Sequence, residues 1–318
     1  MINANDADAK KLAELGYKQE FDRKWSGFHN FAISFSIICI LSGCFTTFAQ
    51  AWNNGGPVAI SVGWPIIAAL IMIIGLTMSE LVSAMPTAGG IYYWALKLGK
   101  PIHGWVTGWL NLLGLITVTA GVDYGFANFF VFTANLYSKS FDPGNLHTIF
   151  IVFLVTILIH IAINIWGANL IHKLQGVNVW VHIFGVAAII LILILIPTHH
   201  QTTSWVFTHQ INNSGFSHRA FWIYVLPLGF LLTQYTITGF DASAHVSEET
   251  GQAGKAAAQG LWKSIAYSAV AGWILLLVFL YAATDEAGIT KSGGAVTAIF
   301  TSALSTHWAT AILIITCV

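Results

Sequence analysis

The sequence predicts an all-α, polytopic membrane protein, and three observations carry that prediction. Of 318 residues, 56% are hydrophobic and only 8% are charged, where a soluble domain carries roughly 25%. No Asp, Glu, Lys or Arg occurs between Lys24 and Glu80, between Lys173 and Arg219, or between Lys263 and Asp285. Apolar runs long enough to cross a bilayer, about 20 residues each, recur along the chain between Gly, Pro, Asn and charged residues.

Taken in order, the first span runs over about 28–50 and the second over about 64–85. The third, about 104–136, has room for a tilted helix and an interfacial end. The fourth covers about 146–166, the fifth 176–197, the sixth 220–249 and the seventh 261–283, and an eighth starts near 303. Residues 1–27 are polar and of mixed charge, which suits a cytoplasmic amino-terminal segment and lacks the apolar core of a signal peptide. Residues 28–318 then form a transmembrane domain of about seven full spans plus the start of an eighth, and the chain reads as truncated there.

Lys and Arg counts set the orientation. With the amino terminus inside, inner segments hold Lys10, Lys11, Lys18, Arg23, Lys24, Lys97, Lys100, Lys173, Lys255 and Lys263. Outer segments hold Lys139, Arg219 and Lys291. Asn212-Asn213-Ser214, a glycosylation triplet, then falls outside. Formal net charge is zero, which gives no sign of nucleic-acid binding. Cys39, Cys44 and Cys317 lie in apolar segments and suggest no disulfide framework. Most of the tryptophans fall near span ends, as in an aromatic belt.

Two spans carry similar interruptions. The first contains Ser42-Gly43-Cys44 and Thr46-Thr47; the sixth contains Thr236, Thr238-Gly239 and Asp241. Unwound backbone at membrane depth is tolerated only where it lines a cavity or is buried in protein. Paired interruptions at corresponding places in two halves point to a secondary transporter's binding site, and spans one and six correspond if the repeat is five helices long. An odd repeat is inverted. Glycine for close helix packing is the competing explanation. Asp241 adds weight to the first, because a carboxylate inside the membrane is costly and marks function.

GFDASAHVSEET (239–250) resembles the sixth-helix signature of the amino acid/choline transporter family of the amino acid–polyamine–organocation superfamily. SFSIICILSGCFTTF resembles that family's first helix, and MPTAGGIYYWALKLG its loop between helices two and three. The resemblance implies a LeuT-like inverted five-helix repeat with helices one and six broken, and import of amino acids or γ-aminobutyrate, with choline or polyamines as the alternative substrates. It further implies that the two breaks face one another across the substrate. Amides of Ser42, Gly43, Cys44 and Phe45 would meet a carboxylate, aided by a half-helix dipole. Carbonyls at Ile237, Thr238 and Gly239 would accept from an ammonium, with Phe240 and Phe45 covering the ligand.

Asp241 then either takes a proton or pairs with the amine, or caps the second half-helix; the roles can coexist. His182 stands about where related sodium-independent transporters place a lysine, and its charge can change near neutral pH; it is a proton-coupling candidate or a packing histidine. Asp123 is the third coupling candidate, through a relay with Tyr124 or a bond to another polar neighbour. Glu80, Glu248 and Glu249 suggest an inner gate with Arg23, Lys24, Lys97 or Lys255, or solvated interfacial acids. His160 and His172 read as packing or interfacial residues. His199, His200, His209 and His218 share one loop without convincing metal-ligand spacing. No cofactor, metal or nucleic acid is called for. A channel would show a repeated pore motif or a ring of charge, and an enzyme a nucleophile with its base or clustered metal ligands; the sequence offers neither.

Overall fold

The computed structural model describes residues 4–166, 168–292 and 294–317. Helices α1 (Ala4–Glu14), α2 (Gly27–Ile37) and α3 (Ile40–Asn53) lead into a two-residue strand β1 (Asn54–Gly55) and a short α4 (Pro57–Ser61). Then come α5 (Gly63–Ala84), α6 (Gly90–Leu98), α7 (Pro101–Tyr137), α8 (Leu146–Trp166), α9 (Ala168–Leu195) and α10 (Thr203–Thr208). Strand β2 (Ile211–Asn212) pairs antiparallel with β1, Asn54 opposite Asn212. After a 3-10 turn at His218–Ala220 and a π turn at Phe221–Val225 come α11 (Leu226–Gly229), α12 (Leu231–Thr236) and α13 (Ala242–His245). A 3-10 turn at Ser247–Glu249 precedes α14 (Ala253–Ala282), α15 (Glu286–Lys291), α16 (Ala295–Ala303) and α17 (Thr306–Cys317).

Among the described residues, six helical stretches are long and apolar enough to cross a membrane: 27–53, 57–84, 101–137, 146–166, 176–195 and 253–282. They coincide with predicted spans one to five and seven. Apolar side chains are exposed along them, Ile73, Leu110, Ile159 and Leu191 among them, while Asn30, Ser34, Asp123 and His182 are buried. This is the inversion expected of side chains that face lipid, and the chain is an integral, multi-pass membrane protein. The predicted sixth span is more fragmented than expected. Pro227 has no N–H to give a helix, the π turn precedes it, and Gly239 adopts a left-handed φ of +78°. The predicted start of an eighth span, near 303, falls at the end of a separate helix α16, and the apolar α17 that follows is shorter than the six long helices.

The chain divides into two compact units. Unit 1 comprises 1–38, 69–118 and 237–268; unit 2 comprises 39–68, 119–236 and 269–318. The divisions at 38/39 and 236/237 coincide with the interruptions of spans one and six.

In unit 1, α2 is bound to the latter part of span six by buried polar groups. Asn30 Nδ2 donates to Ser243 O and Thr250 Oγ1, both at 3.0 Å. Ser34 Oγ donates to Phe240 O at 2.8 Å and accepts from Ser243 N at 2.8 Å. Gly239 lacks a Cβ that would collide with Ile37. The amino-terminal segment, expected only as a polar tail, docks here: Leu12 is fully buried, Arg23 pairs with Asp8 at 3.5 Å, and Asp8 accepts from the Ala253 amide at 3.1 Å.

In unit 2, α3 packs closely on α12 and α7. A Cβ at Gly43 would lie 2.7–2.9 Å from Thr236 atoms, its backbone Cα included, and one at Gly125 would lie 2.7 Å from Thr46 Oγ1. Phe45 is enclosed by Phe129, Phe279 and Phe300, with centroids 5.1–5.8 Å away. Trp52 and Trp64 are fully buried, with their indole N–H groups on Thr290 Oγ1 and Ala269 O. These two belong to the core, whereas Trp105, Trp109, Trp166, Trp180, Trp222 and Trp308 are exposed.

Gly43→Ala should therefore destabilise the protein by about 1–3 kcal/mol, the range of an overpacked core. Asn30→Ala, which strands a carbonyl and a hydroxyl, should cost a similar amount. Thermal unfolding in detergent, followed by tryptophan fluorescence, measures both.

Candidate functional site

Span one is interrupted between α2 and α3, at Ile38 and Cys39. The expected position, around Ser42-Gly43-Cys44, is helical instead. The Gly43 amide donates to Cys39 O at 2.9 Å, and those of Cys44 and Phe45 lie inside the helix. No backbone carbonyl of the helix takes up the amides of Ile40, Leu41 and Ser42, but those of Leu41 and Ser42 are engaged by the Cys39 sulfur. Of the four amides expected to meet a carboxylate, that of Ser42 is thus held by Cys39, and those of Gly43, Cys44 and Phe45 bond within the helix. Gly43 serves close packing, Cys44 is fully buried with its thiol bonded to Thr236, and Phe45 is core. The small polar residues that suggested an unwound segment keep the helix intact, for Thr47 Oγ1 bonds back to Gly43 O at 2.7 Å.

The amino end of α3 opens on a cavity of about 320 Å3 within unit 2. Cys39, Leu41, Ser42, Asp123, His160, Asn178 and His182 line it. Three predicted residues from three spans, Ser42, Asp123 and His182, are thus brought together. Asp123 is 3% exposed. Its Oδ1 lies 3.3 Å from His160 Nδ1, and its Oδ2 has no hydrogen-bond partner among the described residues. His160 had been read as a packing residue, and the structure makes it the partner of Asp123. Tyr124 is half-exposed and rests on Phe153, so the relay to Tyr124 is not present. His182 is buried, with Nδ1 3.7 Å from Cys39 Sγ.

His160, Asn178 and Thr156 were missed, yet the sequence held a signal for them. Thr156 and His160 are four apart on α8, and Asn178 and His182 four apart on α9. Polar residues at helical spacing on an otherwise apolar span share one face. Lipid penalises polar groups on that face, and here it borders the cavity, with His182 buried while His160 and Asn178 stay exposed. All four line the cavity. His172 carries no side-chain description and lies outside what can be compared.

The interruption of span six follows Thr236. Gly239 O accepts from the Ala242 amide at 3.2 Å and Phe240 O accepts from Ser34. Of the three carbonyls expected to receive an ammonium, those of Ile237 and Thr238 accept no hydrogen bond among the described residues, while that of Gly239 is engaged. Asp241 occupies the position before α13 but makes no capping hydrogen bond. Its Oδ2 instead lies 3.3 Å from His245 Nε2, which corrects the cap reading. Phe240 is half-buried beside it.

The inner-gate ion pairs are also absent among the described residues. Glu248 is buried and accepts from the Ala88 amide at 2.8 Å. Arg23 donates to the Thr250 carbonyl at 2.7 Å and pairs with Asp8, Lys24 pairs with Asp22, and Glu80 is exposed. A buried acid here satisfies backbone more cheaply than it could pair with a distant lysine. In the histidine-bearing loop, His209 pairs with Glu286 at 3.0 Å and His200 Nε2 lies 3.1 Å from Leu193 O.

The family model described as "Amino acid permease" matches residues 26–318. Amino-acid permease BAT1 of Arabidopsis thaliana is 36% identical over 288 residues, covering 88% of this chain and 56% of that protein. Its homolog in Oryza sativa subsp. japonica is also 36% identical, covering 88% and 55%. A GABA-specific permease of Saccharomyces cerevisiae is 30% identical, covering 96% and 55%. The chain spans about half the length of the curated relatives it matches. With a match from Trp25's neighbour to the end of the chain, and apolar helices where the match requires them, the chain belongs to the amino acid permease family.

Proposed function

We propose that the protein carrying this chain is a secondary active transporter that imports amino acids, γ-aminobutyrate among them, by alternating access with protons as the coupling ion. The observation that carries the reading is the unit 2 cavity, where the amino end of α3 and the buried carboxylate of Asp123 line the same space. A zwitterion needs both poles. The amino end of α3, the positive end of a 14-residue helix, suits a carboxylate. Asp123 suits an ammonium, and exchange of a proton with His160 gives the pair a second state.

In this reading the paired interruptions belong to a LeuT-like inverted repeat, with residues 28–318 as its transmembrane part and residues 1–27 on the cytoplasmic side. The plasma membrane is the proposed location. His182, Asp123 and Asp241 remain the coupling candidates, the first two in the cavity and the third beside His245. Choline or polyamine uptake is the second reading, favoured by the same Asp123 carboxylate, which would serve an amine that has no carboxylate of its own.

Uptake of labelled amino acids, γ-aminobutyrate and choline by the full-length protein in proteoliposomes, with and without an inward proton gradient, tests the reading. Gradient-driven accumulation of an amino acid or γ-aminobutyrate, abolished by a protonophore, is expected. Choline uptake indifferent to the gradient would favour the second reading. Asp123→Asn should weaken substrate binding by roughly 1.5–3 kcal/mol, the scale of a hydrogen bond to a charged group, as measured by equilibrium binding. Native affinity in that variant would remove Asp123 from the site.

A further inference from the structure

The loop Met85–Gly90, between α5 and α6, is held to the latter part of span six at one residue, wholly within unit 1. Ala88 N–H donates to Glu248 Oε1 at 2.8 Å, and Ala88 O lies 3.0 Å from His245 Nδ1. The other ring nitrogen, Nε2, lies 3.3 Å from Asp241 Oδ2. Gly90, at φ +46°, lets the ring lie against the loop: a Cβ there would stand 3.0 Å from His245 Cε1. Beneath, Val82, Met85, Tyr93, Trp94, Ala244 and Ala257 form an apolar cluster, and Trp94 Nε1 donates to Met85 O at 3.0 Å.

The protons in this chain can be counted. Ala88 O only accepts, so Nδ1 must carry a hydrogen to bond it. A neutral imidazole has a single N–H, so Nε2 then faces Asp241 Oδ2 as a lone pair. Both contacts are made only if one further proton lies between Nε2 and Oδ2, as imidazolium with carboxylate or imidazole with carboxylic acid. When that proton leaves to water, the single remaining N–H has two acceptors. The charge-assisted bond to the carboxylate is the stronger, so the hydrogen moves to Nε2 and Ala88 O loses its donor.

We propose that Asp241, His245 and Ala88 form a proton-held latch that fastens the loop Met85–Gly90 to span six and slackens when the shared proton is lost. Its service to transport, in which the proton state of span six would govern the loop, rests on the transporter reading above; the latch itself does not. The other titratable or charged groups around it are Glu248 on the same segment, Tyr93 on α6, and Lys11, Arg23 and Asp8 from the amino-terminal segment. Lys11 is held on Ser83 O, and Arg23 on Asp8 and the carbonyls of Ser247 and Thr250. Glu248 accepts from the Ala88 amide, a bond that does not require the shared proton, so substitution of Asp241 or His245 separates the two contacts.

Hydrogen–deuterium exchange of the full-length protein in lipid nanodiscs, without substrate, tests the latch. Protection of the peptide covering 85–90, corrected for intrinsic exchange, is measured from about pH 5.5 to about pH 8, across the range in which histidine titrates. Protection should fall roughly tenfold as pH rises, the scale of one lost hydrogen bond, while peptides from α8 stay unchanged. Asp241→Asn should abolish the fall and hold protection high, since an amide can donate to Nε2 and leave Nδ1–H on Ala88. His245→Asn should also remove the pH dependence. Protection in the native protein that is flat or rises with pH overturns the latch, as does an undiminished fall in either variant. Failure of the uptake assay leaves these outcomes unaffected, so the two readings fail separately.

Discussion

A membrane interior offers no water to an unwound backbone, so each interruption must be satisfied by groups the protein itself supplies. The hydrogen bonds from Asn30 and Ser34 to span six meet that constraint in unit 1. Ser34 serves Phe240 O and the Ser243 amide, Asn30 serves Ser243 O and the Thr250 hydroxyl, and Thr250 Oγ1 returns to Val246 O at 2.7 Å. Three short polar side chains thus replace bonds that a continuous helix would have made internally. With the backbone satisfied, the chain can leave the carbonyls of Ile237 and Thr238 open and set Asp241 within reach of His245.

Unit 2 meets the same constraint by close packing. Gly43 and Gly125 let α3 approach α12 and α7 to distances that no side chain would permit, and Phe45, Phe279 and Phe300 fill the adjoining space. Held on those sides, α3 has its amino end at the cavity. Thr156, His160, Asn178 and His182 bring polar groups to a lining that also holds Leu41, Val122, Phe126 and Ile315. Each unit also holds one buried or half-buried acid beside a histidine: Asp123 with His160, and Asp241 with His245. A carboxylate with an imidazole can hold a proton at little electrostatic cost.

Much of this was legible in the sequence. The charge-free runs and apolar lengths determined the spans and the membrane class, because the bilayer imposes both by simple transfer energetics. The motifs 34–48, 85–99 and 239–250 were enough to suggest the family that residues 26–318 match. Asp123, Asp241 and His182 stood out as costly groups inside apolar segments. The i,i+4 polar pairs on α8 and α9 were equally legible, since lipid penalises them on the outer face.

Only the tertiary structure decided where span one breaks, which residues neighbour one another, and what each glycine is for. Nothing local in Ile38-Cys39 forces an interruption. It arises because α2 is fixed by its bonds to Ser243 and Phe240 while α3 is fixed by contact with Thr236, and those partners are more than 190 residues away in the chain. Local composition placed the flexibility at Ser42-Gly43-Cys44, where the glycine in fact serves packing. Likewise, the sequence shows Asp241 and His245 four apart, but that both ring nitrogens of His245 meet acceptors depends on Ala88, brought there by the fold. Spans and class follow from energies summed residue by residue; breaks and partners follow from contacts between distant segments, which no local rule contains.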